Sequence, residues 1–219
     1  MKRKKEVKKA GRKKVENIEL ERKAGMKKKQ EKQVRLFIIG MFVLLIFIFV
    51  AYSFIQASLK FTYAGLEFEK VRQGELILYR SDSFPVYLRN DPRDLRTINI
   101  ESKILLHPKV GIGGSKEILE GCSDSTIAAT TSSIFYGKNG LEPFPGTTDK
   151  NESETNNIAY IECKLNSNYS AILLEKGDET KIEKEGECYI LRVKDCEDVM
   201  KVTERFIVAS YAHSNGIEV

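Results

Sequence analysis

Hydrophobic positions along this chain follow different patterns in succession. From residue 36 to 59 they form one run, "LFIIGMFVLLIFIFVAYSFIQASL", with no charged residue between Arg35 and Lys60. As a helix that run reaches roughly 36 Å, against a hydrocarbon core of about 30 Å, which predicts a single transmembrane helix over 36–59. A cleaved secretory signal is the rival reading, and the core helix of a soluble domain a third. A signal's apolar region is shorter, about 7 to 15 residues, and ends in a small-x-small site that "FIQAS" matches poorly.

Beyond Lys60 the apolar stretches are short and alternating. "GLEFEKV" and "ELILYR" read as a hairpin around "RQG", followed by the strand "FPVYL", a turn at "RNDPRDL" and a further strand in "TINIESKILL". "CSDSTIAATTSSIFYGKNG" is the first helix, capped by Ser123 or Asp124, with Ile127, Thr131, Ile134 and Phe135 on one face and Gly137 or Gly140 at its end. "EPFPGTTDKNESETNN" reads as an insertion-tolerant loop. "IAYIECKL", "SAILLEK" and "CYILRV" are strands, the last two joined as a long hairpin by the polar "GDETKIEKEGE". The terminal helix "EDVMKVTERFIVASYAHSNG" aligns Val199, Val202, Phe206 and Ala209, and ends before Gly216. The expected fold is an α+β domain over 60–219, an antiparallel or mixed sheet with two helices on one face, large enough to bury its own core.

Charge adds an orientation. Residues 1–35 hold sixteen Lys or Arg against five Glu, a net +11, whereas the remainder carries −6. A basic flank abutting the apolar run predicts an N-terminal tail on the cytoplasmic side and the 60–219 domain outside the cell membrane. The tail repeats "KAGRKK" as "KAGMKK" fourteen residues later, but its apolar residues are too sparse for an inserted stripe. It reads as a topology determinant, with contact to anionic lipid head groups as the functional alternative. Nucleic acid is the weaker partner, since no aromatic residue in the tail could stack a base.

All four cysteines, Cys122, Cys163, Cys188 and Cys196, follow the apolar run, and an even count in an exported domain reads as two disulfides. Zinc and redox chemistry are the competing readings. No two cysteines stand two to four residues apart, no C-x-x-C exists, and neither His107 nor His213 is near a cysteine in sequence. A strand between Cys188 and Cys196 holds those two beyond bridging distance. If "SAILLEK" and "CYILRV" are antiparallel neighbours, Cys163 comes near Cys196 and Cys122 near Cys188, which is the expected pairing.

Other motifs are sparse. "NES" at Asn151 and "NYS" at Asn168 fit the N-glycosylation acceptor pattern. "VGIGGSKE" lacks the phosphate-loop spacing and reads as a flexible turn. There is no G-x-S-x-G and no H-E-x-x-H, so no catalytic, cofactor or metal residue is assigned. Glu204 and Arg205 read as surface charges. If the domain were an envelope enzyme, Ser125, Asp124, Glu204 and His213 would be the residues to substitute first.

"FPVYLRNDPRDL", "GCSDSTIA" and above all "GDETKIEKEGECYILRVKDCEDVMKVTERF" resemble a pattern in uncharacterised archaeal single-pass membrane proteins with a four-cysteine extracytoplasmic domain. The pattern is a G-[DN]-E-T run, C-Y before a strand, then D-C-E or N-C-E leading into a T-E-R-F helix. The resemblance spans most of residues 66–208; it implies architecture and compartment and brings no site residues. The expected function is a membrane-anchored extracytoplasmic binding or interaction domain, engaging another envelope protein, a glycan or a secreted substrate. A subunit of a membrane-embedded secretion or surface-filament complex is the alternative.

Overall fold

A computed structural model describes residues 32–54, 59–82, 84–164 and 167–218. The basic tail up to residue 31 lies outside them. The chain divides into two units, 1–58 and 59–219. The first contains helix α1, Lys32–Phe54, 23 residues whose most apolar window has a mean hydropathy of 2.9 and none of which is buried. At 1.5 Å per residue this helix is long enough to cross a bilayer.

The second unit is α+β. Among its described residues the strands form two sheets. The first is an antiparallel meander of β1 (Lys60–Tyr63), β2 (Leu66–Gln73), β3 (Leu76–Ser81) and β4 (Phe84–Leu88). Ala64 and Gly65 both take positive φ, 51° and 71°, the geometry that a two-residue hairpin turn requires. Along β2 and β4, Leu66, Phe68, Phe84, Val86 and Leu88 alternate inward.

The second sheet is mixed. Its strands, in chain order, are β5 (Asn99–Ile100), β6 (Lys109–Gly114), β7 (Glu142–Thr147), β8 (Ala159–Tyr160), β9 (Ser170–Lys176), β10 (Lys181–Glu185) and β11 (Cys188–Val193), and they lie in the order β5-β10-β11-β9-β6-β7-β8. Strands β6, β7, β8, β9 and β11 run parallel, and β10 runs antiparallel to β11. From the edge strand β5 the chain passes to β6, winds outward through α2 (Lys116–Gly121) and α3 (Ser125–Lys138) to β7, then through α4 (Lys150–Asn156) to β8, and crosses back to β9. Helix α5, Asp198–Ser214, closes the domain.

Two sequence expectations change here, for one reason. "VGIGGSKE" is not a flexible turn: it contributes β6, in the middle of the sheet, and the start of α2. The glycines serve close approach. A Cβ on Gly111 would meet Ile161 Cδ1 at 2.9 Å, and one on Gly146 would meet it at 2.3 Å. The segment after β8 therefore lies directly on a bare part of the sheet, where Ile161 joins Ala171, Leu173 and Cys188 in a small second core. Gly111→Ala is expected to lose about 1–3 kcal/mol in denaturant unfolding through overpacking under Ile161. The loop expected at "EPFPGTTDKNESETNN" is likewise ordered as β7 and α4. Asp149 caps α4 by accepting from the backbone N–H of Asn151 and Glu152.

All four cysteines are bonded, but not in the expected pairs: Cys122 is joined to Cys196, and Cys163 to Cys188. The polar linker forms β10 and takes up one edge of β11, so β9 and β11 end up parallel neighbours. Cys163, before β9, therefore lies by the start of β11 at Cys188, and Cys196, past its end, meets Cys122.

The larger core joins side chains from both sheets with α3 and α5. Phe84 of β4 packs at a tilt against Phe135 of α3, their rings 4.8 Å apart, and meets Tyr211 of α5 edge-on at 5.7 Å. Helix α5 is buried almost all round, including the expected Val199, Val202, Phe206 and Ala209. On α3 the expected face holds at Phe135 and fails at Ile127 and Ile134. The residues that sink are Ser125, Ala128, Ser132, Phe135 and Tyr136, whose small members let α5 approach, while Ile127 and Ile134 are 38% and 46% exposed.

Glu204 and Arg205 are buried rather than on the surface. Glu204 Oε1 accepts from the backbone N–H of Arg89 at 2.6 Å, and Oε2 from Asn90 N at 3.0 Å and Asn90 Nδ2 at 2.8 Å. Arg205 donates to Tyr63 Oη at 3.0 Å and to the Ile98 carbonyl at 3.4 Å. The two neighbours thus tie both ends of the meander and its exit loop to α5.

Candidate functional site

Helices α3 and α5 finish alike. In α3, Phe135 is followed four residues later by Asn139 and then Gly140; in α5, Tyr211 is followed by Asn215 and Gly216. Each asparagine donates its side-chain N–H to the carbonyl four residues back, Asn139 to Phe135 and Asn215 to Tyr211, both at 2.8 Å. Each glycine follows at positive φ, 80° and 73°, turning the chain away. This capping satisfies the last carbonyls of both helices and leaves one amide oxygen of each asparagine without a partner among the described residues.

A cavity of about 460 Å³ opens between these two helix ends. Ile104, Leu106, Leu141, Phe135 and Tyr211 give it an apolar lining; Asn139, Ser214 and Asn215 contribute polar groups. Deeper, the buried Tyr136 hydroxyl lies 3.2 Å from Ser210 Oγ, which itself donates to the Ile207 carbonyl. Burial pushes the Tyr136 phenol well above its ordinary range, so it stays a neutral donor. Among the described residues no Asp, Glu, Lys, Arg or His lines the cavity.

The third wall is irregular backbone. The strand expected over "TINIESKILL", residues 97–106, is cut short: the ladder stops at Ile100. Side chains take over the hydrogen bonds. Ile104 N donates to His213 Nδ1 at 2.9 Å, Leu105 N to Tyr189 Oη at 2.8 Å, and His107 N to Ser170 Oγ at 3.0 Å; Tyr189 Oη donates in turn to the Leu105 carbonyl at 2.9 Å. The wall is thereby held by α5, β11 and β9 at once, with Leu105 59% exposed beside the cavity.

Two further concavities, of about 390 and 470 Å³, hold charged side chains that are bonded to one another: Asp198 with Lys201 and Thr180 in the first, and Glu183 with Lys181 and Arg192 in the second.

The residues named for an enzyme do not assemble. Ser125 donates to the Leu119 and Cys122 carbonyls, and Asp124 pairs with Arg89 at 3.2 Å. Arg89 links Asp124 to Glu204 through its backbone N–H, but Glu204 is already occupied by three donors. His213 lies at the far end of α5, holding Ile104. No hydrogen bond joins Ser125 to His213 among the described residues, so a nucleophile and base are not paired. Asn151 in α4 and Asn168 before β9 are both exposed.

Sequence reading missed the cavity because three distant segments build it. The visible signal was the repeated aromatic-x-x-x-Asn-Gly at residues 135–140 and 211–216. No protein-family model, curated protein or solved structure matches the chain.

Proposed function

We propose that this chain is a membrane-anchored binding protein whose exported domain takes a small uncharged ligand in the cavity between the ends of α3 and α5. The cavity carries the reading. Its volume of about 460 Å³ falls within the range of small-molecule sites, and its apolar lining with a few polar groups is their usual composition. An anion would enter beside two helix C-termini, with no basic side chain among the described residues that line the cavity, a combination that disfavours it. A compound with an apolar body and one hydroxyl or amide N–H directed at Asn139 or Asn215 suits the lining better.

The anchor reading draws on the apolar helix Lys32–Phe54 and on the two disulfides, which form and persist in oxidising compartments. The +11 charge of residues 1–35 supports an N-terminus inside and a domain outside, and an approach of that tail to anionic head groups. Alkaline extraction is expected to leave the protein in the membrane, and protease added outside to degrade 59–219 alone.

Binding is tested on the full chain in phosphatidylcholine nanodiscs, with phenol and cyclohexanol as neutral probes and benzoate as the anion. The neutral probes are expected to give saturable amide shifts at Leu105, Asn139 and Asn215, benzoate weaker ones. Ser214→Trp, placed at an exposed lining position, is expected to weaken the probes at least about tenfold. Shifts that never saturate, or that ignore Ser214→Trp, would remove the cavity from consideration. A second reading, a subunit of a secretion or surface-filament complex, gains support from the exposed Ile127 and Ile134 on α3.

A further inference from the structure

We infer that acid opens the cavity by releasing its irregular wall from His213, so that ligand is held at neutral pH and let go below it. The inference rests on the cavity being the ligand site, and its own basis is the hydrogen bond from Ile104 N to His213 Nδ1. An N–H can donate only to a ring nitrogen that carries no proton, so the bond exists with a neutral imidazole protonated at Nε2. Adding the second proton turns Nδ1 into a donor facing a donor. The bond is then lost and the two groups repel.

The surroundings decide where this happens. Burial is the first influence on His213 and holds its pKa below the ordinary 6.5; Lys103, on the wall itself, and Arg205, two turns back on α5, lower it further, while Glu218 past the helix end raises it. A depressed folded-state pKa gives a definite sign. The bond's contribution is complete above about pH 6.5 and is lost as pH falls through the lower folded value.

The effect is local. The Tyr189 tie to Leu105 and the Ser170 tie to His107 remain, so Ile104 is released while Leu105 and His107 stay. Nine residues earlier on the same helix, Glu204 responds in the opposite direction: burial lifts its carboxyl to about 7, and acid strengthens that end of α5. Acidification through the imidazole range therefore frees one wall without loosening the tie between the meander and α5.

The test uses the full chain in nanodiscs and separates wall from ligand. Amide exchange at Ile104, corrected for the intrinsic pH dependence and followed by NMR from pH 7.5 to 5, is expected to lose about tenfold in protection in step with the His213 ring proton shift. His213→Asn, whose amide oxygen keeps an acceptor near Nδ1 but does not titrate, is expected to hold protection constant. His213→Ala is expected to lose it at every pH. Phenol affinity should fall in the same interval in the parent chain and stay level in His213→Asn. Protection at Ile104 that is independent of pH, or equal pH dependence in His213→Asn, would overturn the inference. Pronounced loss of protection with no phenol binding at either pH would leave the wall's release standing and overturn its role in ligand control, together with the cavity reading.

Discussion

Replacing Cys122 and Cys196 together by alanine is expected to lower unfolding stability by about 4 kcal/mol. The bridge closes a loop with a sequence separation of 74, and the entropy it removes from the unfolded chain grows with the logarithm of that length. The same replacement at Cys163 and Cys188, with a separation of 25, is expected to lose about 3 kcal/mol. Against a typical total of about 5–15 kcal/mol, the first loss alone leaves a marginal domain. Urea unfolding of both variants measures the difference. The shorter loop carries a second expectation, because its bridge pins the segment that lies on Gly111 and Gly146. Amide exchange around Ile161 should rise in that variant and not in the other. Equal losses, or a larger one for the shorter loop, would mean that native-state contacts and not chain entropy set the stabilisation.

Glu204→Ala is expected to lose roughly 3 kcal/mol, since three donors from Arg89 and Asn90 are left without their acceptor at a fully buried position. The parent residue also makes stability depend on pH. Burial, opposed by those hydrogen bonds, raises the carboxyl from 4.5 to about 7. A raised folded-state value means that the native protein binds the proton more tightly. The group's contribution is thus complete below about pH 4.5 and is lost as pH rises through about 7, a difference on the order of 3 kcal/mol. Glu204→Gln removes the titration and keeps one acceptor. Subtracting its stability–pH curve from that of the parent should leave a step between pH 4.5 and 7 with stability higher on the acid side. A flat difference would show that water reaches the carboxylate in solution.

What could be read from the chain in advance follows from how each element buries itself. Val199, Val202, Phe206 and Ala209 are large or apolar at helical spacing, so the terminal helix announced its buried face. Helix α3 did not, because Ser125, Ala128 and Ser132 are buried for their small size while Ile127 and Ile134 are not. Strand β6 was hidden for the same physical reason, as glycines chosen for close approach look like a turn when read alone. The pairing of the cysteines turned on β10. "KIEKE" buries only Ile182 and otherwise shows charge, so it reads as a linker, and once it becomes a strand the sense of β9 against β11 reverses. The cavity was the least visible of all. Its walls come from residues 104–106, 135–141 and 210–215, and no local pattern encodes a wall held by three side chains in place of a ladder.

The placement of Glu204 and Arg205 also constrains the order of events during synthesis. The meander, residues 60–88, leaves the ribosome early, yet the ties from Tyr63, Arg89 and Asn90 are all to α5, more than a hundred residues later. Sequence separations of 115 and 142 are bridged before those donors find their acceptors. Such contacts cannot form before α5 has been made and are slow to form afterwards, since the loop entropy must be overcome first. The meander therefore waits, with its apolar face open, until α5 has been made, and those early strands are where a holding chaperone has the most to shield.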